Sequence, residues 1–294
     1  MCIRDRYRVG DAKSFRLSDC NPGDTGGLDL DKQDSKKLLR EGIELLSELQ
    51  AKLYAQDRWS LLVILQAMDT AGKDGTIRHV FSGVNPQGCE VSPFKAPSQE
   101  ELDHDFLWRI VRELPERGRI GIFNRSHYEE VLVVRVHPEF LGTQRLPPPL
   151  VTKRIWQERY EDINAFERHL VRNGTVVLKF FLNVSKEEQK RRFLERIENP
   201  EKNWKFSMGD VEERGRWSDY MRAYEDMIRA TSTQWAPWHV VPADHKWLTR
   251  LAVSDTVIAA LEDLDLAFPE VDPAERQRLE KVRSALEKEK ATPS

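Results

Sequence analysis

The sequence predicts an α/β protein of three layers, a parallel central sheet with helices on both faces. Three observations predict it: several short, almost wholly apolar runs, helical periodicity between them, and a glycine-containing loop directly after the first run.

Taken in order, Met1 to Arg6 match no element, and the polar, Gly- and Asp-rich stretch from Tyr7 to about Lys32 reads as a surface arm, so residues 1–32 stand apart. Leu38, Leu39, Ile43, Leu46, Leu49 and Leu53 recur at three- and four-residue intervals, which predicts a helix from about residue 35 to 56 with one core-facing stripe. The run S-L-L-V-I-L-Q at residues 60–66 has the apolar continuity of a parallel strand buried on both faces. A loop and a helix over about 75–82 follow it. Further strands are expected at 88–93, 119–123, 175–182 and 239–241, and helices at 99–113, 151–172 and 186–197. The proline-rich stretch 137–151 is a connection inside one large domain, residues 33–270, because the strand and helix alternation resumes beyond it. Residues 271–294 read as a charged amphipathic helix and a polar tail. In such a sheet, ligands bind beyond the carboxyl ends of the strands.

Composition excludes some classes of function. The chain of 294 residues carries 46 Lys and Arg against 49 Asp and Glu, a formal charge of -3, so no global field favours nucleic acid or an anionic membrane. A polyanion would need a local basic patch. Cys2, Cys20 and Cys89 lie far apart without C-x-x-C spacing, which suggests neither a disulfide framework nor a zinc site. There is no apolar run of the ~20 residues that a membrane helix needs and no apolar block of a secretory signal. A cytoplasmic protein is expected.

The loop Ala67-Met68-Asp69-Thr70-Ala71-Gly72-Lys73-Asp74-Gly75-Thr76 has the length of the phosphate-binding pattern G-x-x-x-x-G-K-[ST], with Ala67 replacing its first Gly and Asp74 its Ser or Thr. Gly72 lets backbone amides approach phosphate oxygens, the following helix offers unpaired N–H groups, and Lys73 adds a mobile cation. Asp69 would repel phosphate unless a cation intervened, so it reads as a magnesium ligand or as a group that polarises the attacking phosphate. The plain alternative is an ordinary strand-to-helix turn.

The strand ending at Phe123 leads into Asn124-Arg125-Ser126-His127-Tyr128-Glu129-Glu130. Asn124 stands where many phosphate-loop enzymes have a metal-assisting acid, and Arg125 offers a planar fork for a transferring phosphoryl group. Alone, this string is equally well a structural turn. A third feature is basic: Lys186, Lys190, Arg191, Arg192, Arg196, Lys202 and Lys205, with Gln189, Arg192 and Arg196 on one helix face and Phe193 and Ile197 near the packing side. It reads either as a solvated face or as a lid, residues 186–210, closing over phosphates. His79, His104 and His127 lack metal-ligand spacing. Trp204, Trp217, Trp235, Trp238 and Trp247 are expected mostly in the core or at interfaces, although such rings could stack on bases.

Together these segments resemble the polyphosphate kinase 2 family from about Tyr7 to Phe268. The strings are Leu65-Gln66-Ala67-Met68-Asp69 with Gly72-Lys73-Asp74-Gly75, Ile122 through Glu129, and Asn199-Pro200-Glu201-Lys202 with Trp204-Lys205 and Gly209-Asp210. The resemblance implies a P-loop kinase fold like that of thymidylate kinase and magnesium-dependent transfer, with manganese as an alternative, between inorganic polyphosphate and adenine or guanine nucleotides. It also implies a homodimer or homotetramer. Asn124 with Glu129 looks like the branch that phosphorylates nucleoside monophosphates and carries them on to triphosphates. By motif position, Asp69, Lys73, Asn124 and Arg125 would be catalytic, with Asp69 on the metal. Ala71, Gly72, Asp74, Gly75, Arg78, Lys95, Arg192 and Arg196 would face phosphate, and Glu129, Lys205 and Asp210 the nucleotide. The insertion around Pro147 to Pro149 departs from shorter relatives. Two rival readings are an ATP-dependent nucleotide kinase of the same fold and a sensor that binds without turnover.

Overall fold

Residues 60–66 form a strand because seven consecutive side chains, Ser60 to Gln66, are all buried, leaving the backbone no partner but neighbouring strands. In the computed structural model, which describes residues 3–28, 30, 32–201 and 203–289, this is the central strand of a five-stranded parallel sheet. In chain order the elements are α1 (Ile3–Arg6), α2 (Lys32–Gln56), β1 (Ser60–Gln66), α3 (Lys73–Val80), β2 (Cys89–Pro93), α4 (Gln99–Leu102), α5 (Trp108–Arg112) and β3 (Ile120–Asn124). There follow α6 (Val133–Val136), α7 (Ile155–Arg172), β4 (Thr175–Asn183), α8 (Lys186–Glu198), α9 (Met208–Gly215), α10 (Trp217–Thr231), β5 (Trp238–Pro242), α11 (Lys246–Glu262) and α12 (Pro273–Lys288). The expected α/β class is therefore observed.

The strand order is β2-β3-β1-β4-β5. Leaving β1, the chain runs to the β2 edge, returns through β3 beside β1, then crosses to β4 on the other side; Val63 pairs with Ile122 of β3 and Leu178 of β4. This reversal opens a crevice beyond the carboxyl ends of β1 and β3, where ligands settle in open α/β sheets. Helices α2 and α3 both pack on α11, while α7 packs on α10 and β4. Crossovers between parallel strands are right-handed almost without exception, the rule by which helices come to cover both faces of such a sheet.

Several expectations are corrected. The opening residues do form an element, the short helix α1, which packs against α11; Met1 and Cys2 lie outside the described residues. The arm is not loosely laid on the surface. Tyr7 accepts from Val240 at 2.8 Å and Val9 donates to Trp238 at 2.9 Å, so the segment seals the outer edge of β5. Helix α3 starts at Lys73, not near residue 75. The helix expected over 99–113 is broken into α4 and α5, because Asp105 turns its carboxylate onto the Leu107 amide and offers the backbone a local bond in place of the helical one. Thr152 does the same to the Arg154 amide, so α7 begins at Ile155. In the α2 stripe Leu46, Leu49 and Leu53 are buried, but Leu38 is 43% exposed. On α8, Phe193 packs as expected while Ile197 is exposed. Helix α12, capped by Asp272 on the Glu275 amide, has no buried residue; residues 290–294 lie outside the described part.

Candidate active site

The crevice is built from two loops, with the basic helix α8 packed beside the first of them. After β1 the chain turns tightly, with the Ala71 amide on the Met68 carbonyl, and reaches α3 through two left-handed residues, Thr70 at φ 63° and Gly72 at φ 112°. Gly72 is there because a side chain is strained at that φ. Thr70 is a β-branched residue in the same region, a strain the surrounding loop must hold in place. No side chain caps α3, so its first-turn N–H groups and positive dipole end point into the crevice. Ala71, Gly72, Asp74 and Gly75 are thus gathered where the phosphate-loop pattern expects an anion.

Lys73 is buried and lies across its own loop, donating from Nζ to the Ala67 carbonyl at 2.8 Å. Burial and the nearby Arg125 charge pull its pKa down to about 8, against smaller opposing effects of Asp69, Glu129 and Asp74. Asp69 Oδ1 accepts from Arg125 Nη2 at 2.7 Å. Arg125 itself sits at φ 65°, and its amide extends the sheet onto the Leu65 carbonyl. Its Nη1 is 3.4 Å from Glu129 Oε2, so one guanidinium bridges the two loops. With the Gln66 amide oriented so that its nitrogen faces the carboxylate, it donates to Glu129 Oε1 at 2.8 Å and accepts from Ser126, holding Glu129 in place. Burial raises the Glu129 pKa, with Arg125 and Lys73 opposing.

The two departures from the usual motifs meet. Asn124 Nδ2 donates to Asp74 Oδ1 at 2.8 Å. Where a phosphate-loop enzyme has a hydroxyl on the loop and an acid at the strand end, this chain has the carboxylate on the loop and the amide on the strand.

The basic helix α8 corrects one expectation. Arg192 is buried, and its guanidinium donates to five oxygens: Glu188 Oε1 and the carbonyls of Thr70, Ala71, Ala243 and Asp244. Every N–H it owns is spent, so it props the phosphate loop from behind and does not reach for phosphate. Gln189, also buried, donates to the Asp69 carbonyl at 3.1 Å and accepts from Arg214 Nη1 of α9 at 2.8 Å. Arg196 lies 3.9 Å from Asp210 Oδ2. Burial and the Asp69 charge raise the Asp210 pKa, which places that carboxyl near the loop. Lys205 closes a short turn with its backbone; its side chain, and Lys202 altogether, lie outside the described part.

Arg78 is exposed on α3, one turn beyond Gly75. Lys95 is exposed at the β2 rim, next to Phe94, whose amide bonds the Asn124 carbonyl at 3.1 Å. A cavity of about 420 Å³ opens there, lined by Phe94, Lys95, Glu101, Trp108, Arg109 and Arg112. The histidines are not gathered: His79 bonds the Gly75 carbonyl, His104 stacks on Trp108, and His127 is buried against Tyr128. Trp238 is a core residue, whereas Trp204 is 77% exposed on the lid.

No group of three or more metal-ligating His, Cys, Asp or Glu residues is assembled among the described residues. The carboxylates here suit a hard cation that takes one or two protein oxygens and fills the rest of its shell with phosphate and water. Asp69 would hold such an ion, with Asp74 and Asp210 close by. Sequence reading missed Gln189 as an amide bridge and Arg214 altogether, since nothing local marks a residue whose partner is far along the chain. Gln66 was readable as the single amide closing an apolar strand.

The model of the family described as Polyphosphate kinase 2 matches residues 29–269. An ADP-polyphosphate phosphotransferase of Rhodopseudomonas palustris is 51% identical over 282 residues, covering 96% of this chain and 97% of the relative. An AMP/ADP-polyphosphate phosphotransferase of Meiothermus ruber is 46% identical over 269 residues, 92% and 97% of the two chains. The crystal structure of Polyphosphate Kinase 2 from Arthrobacter aurescens TC1 superposes with a TM-score of 0.87 at 43% identity, covering 96% of this chain and 97% of that one. With the two loops meeting in one crevice, the family model matching residues 29–269 and likeness running nearly end to end, the chain belongs to the polyphosphate kinase 2 family.

Proposed function

We propose that the chain transfers phosphoryl groups reversibly between inorganic polyphosphate and adenine nucleotides, AMP and ADP, with guanine nucleotides as further acceptors. The observation that carries this reading is the Asp69–Arg125 pair at 2.7 Å inside a phosphate loop. Both charges are stored in the crevice by pairing with each other. A nucleotide phosphate and a divalent cation arriving together can exchange with that pair, one against Arg125 and the other against Asp69, at little net change in buried charge. Magnesium, or manganese in its place, would supply charge neutralisation on the phosphate oxygens when bound at Asp69.

Transfer through a loose transition state asks mainly for positioning and charge stabilisation. Lys73 and the α3 amides hold the phosphate at the loop. Arg125 meets the transferred group, and Glu129, fixed by Gln66 and Arg125, borders the nucleotide side. Asn124 keeps Asp74 turned away from the phosphate by hydrogen bonding to it. Arg196 and Asp210 close from the lid, with Lys205 proposed beside them. Homodimeric or homotetrameric assembly is part of the proposal.

Relatives named for ADP and for AMP/ADP flank this chain in similarity. Asn124 and Glu129 favour AMP as the first acceptor. The test is turnover of AMP and of ADP with polyphosphate or ATP as sole donor. Activity with polyphosphate, lowered about a hundredfold or more by Asp69→Asn, is expected. Activity with ATP alone sinks the proposal in favour of an ordinary nucleotide kinase, and binding without turnover makes the chain a sensor.

A further inference from the structure

Helix α12 carries strong local signals for a helix: Asp272 caps the Glu275 amide at 2.8 Å and Pro273 opens the first turn. Yet among the described residues it buries no side chain of its own, and a helix of 16 residues is marginal in water unless one face is covered. Leu279, Val282 and Leu286 recur at three- and four-residue spacing on one face, each more than half exposed. Arg276 and Arg283 flank that stripe. A matching face stands open on α2, where Leu38 and Leu45 are exposed and each is followed three residues later by an exposed carboxylate, Glu41 and Glu48. The chain is released beside this face. A β-carbon at Gly42 of α2 would stand 3.0 Å from Ser254 Oγ and 3.5 Å from Ile258 Cδ1 of α11, and α11 runs on only one further turn to Glu262. The connection over residues 263–272 can then span up to about 35 Å before α12 begins.

We infer that α12 docks on α2 of a second copy of this chain, its aliphatic stripe against Leu38 and Leu45 and its Arg276 and Arg283 against Glu41 and Glu48, reciprocally about a two-fold axis. This rests on the assembly proposed above and supplies its interface. Charge decides the partner. Two α12 helices face to face would bring arginines together around three aliphatic side chains, whereas α2 offers carboxylates at the same seven-residue spacing as the arginines. Arg283 is paired with Glu287 of its own helix at 2.8 Å, but that pair is exposed and weak, so exchange costs little. A membrane surface fits less well, because the stripe holds no aromatic residue and Glu275, Glu280 and Glu287 share the helix. Reciprocity matters for size: the two-fold axis doubles the area that one such contact buries, toward the range of a stable dimer.

The test is the mass of the full chain in solution, by sedimentation velocity, for the wild type, for Arg276→Glu/Arg283→Glu on α12, for Glu41→Arg/Glu48→Arg on α2, and for an equal mixture of the two variants. Each variant alone sets like charges together in both contacts, so its assembly should dissociate to half the wild-type mass, with a dissociation constant raised about tenfold or more. In the mixture every α12 meets an α2 of opposite charge on the other chain, and the wild-type mass should return. Docking of α12 on its own α2 would gain nothing from mixing. A melting temperature matching wild type shows that the variants are folded, and Leu279→Ser/Leu286→Ser, which should also halve the mass, is the independent variant if the α2 changes unfold the chain. No restoration on mixing, or binding of the wild type to phosphatidylserine vesicles that Leu279→Ser/Leu286→Ser abolishes, overturns the inference. An oligomer indifferent to all three variants overturns this interface and leaves the proposed assembly standing, whereas a monomeric wild type sinks both.

Discussion

Lys73 carries an ammonium into a crevice where burial and Arg125 bring its pKa to about 8. In the unfolded chain the value is the ordinary 10.5, so the free folded protein holds this proton less tightly than the unfolded chain does. The charged form therefore costs roughly 3 kcal/mol at neutral pH, a penalty that fades as pH rises from 8 toward 10.5. A bound phosphate favours the ammonium and reverses the preference. Donor binding should accordingly take up a proton above about pH 8, with affinity falling by up to about tenfold per pH unit from this group. Calorimetric binding of polyphosphate between pH 7 and 9 checks this, and Lys73→Arg should flatten the profile. Lys73→Met should abolish transfer yet melt no lower than wild type at pH 7, because it removes a buried charge kept for function.

Helix α8 ties the first loop to α9. Through Gln189 it joins the Asp69 carbonyl to Arg214 of α9, and through Arg192 it fixes the carbonyls of Thr70 and Ala71. The strained Thr70 backbone is thus clamped from the side opposite the phosphate. Replacing Gln189 by Leu strands the Asp69 carbonyl without a partner and leaves the Arg214 guanidinium only the Lys186 carbonyl. That should cost about 1–3 kcal/mol in urea denaturation, and kcat should fall more than KM changes, since α9 and the Asp69 loop lose their shared reference. Arg214→Lys, which can reach only one of the two oxygens Arg214 now bonds, should show a smaller effect on both measurements.

At the scale of the whole molecule, one buried polar cluster binds the sheet to the second loop. Lys179 of β4, fully enclosed, donates to Glu167 of α7 at 2.6 Å, to Tyr128 Oη at 2.9 Å and to the Thr231 carbonyl at the end of α10 at 2.7 Å. Burial alone would raise the Glu167 pKa; Lys179 and His127 outweigh it and hold the carboxyl below its ordinary value. The stability contributed by that depressed pKa is present above the ordinary carboxylate value and lost as pH falls from there through the lowered folded value. Glu167→Ala leaves a buried ammonium unpaired and should cost about 3–5 kcal/mol in guanidinium denaturation, whereas Glu167→Leu with Lys179→Met should recover most of it. Because Tyr128 adjoins Glu129, the single variant should also disturb the nucleotide side of the crevice.

The sequence by itself determined what is encoded locally. Five apolar runs became five strands within a residue or two, since burial on both faces leaves such runs no other use. The phosphate loop and the Asn124 to Glu130 string were readable because each is contiguous. The tertiary structure decided what depends on the partner found across the fold. Arg192 and Arg196 sit one turn apart on the same basic helix, yet one is consumed by loop carbonyls and the other faces Asp210. No spacing distinguishes them. Strand order, which brings Asp74 to Asn124 and Asp69 to Arg125 across the β1–β3 crevice, is likewise a property of the assembled sheet. Residue types and local periods fix which groups the chain owns; long-range pairing fixes which of them remain free to meet a ligand.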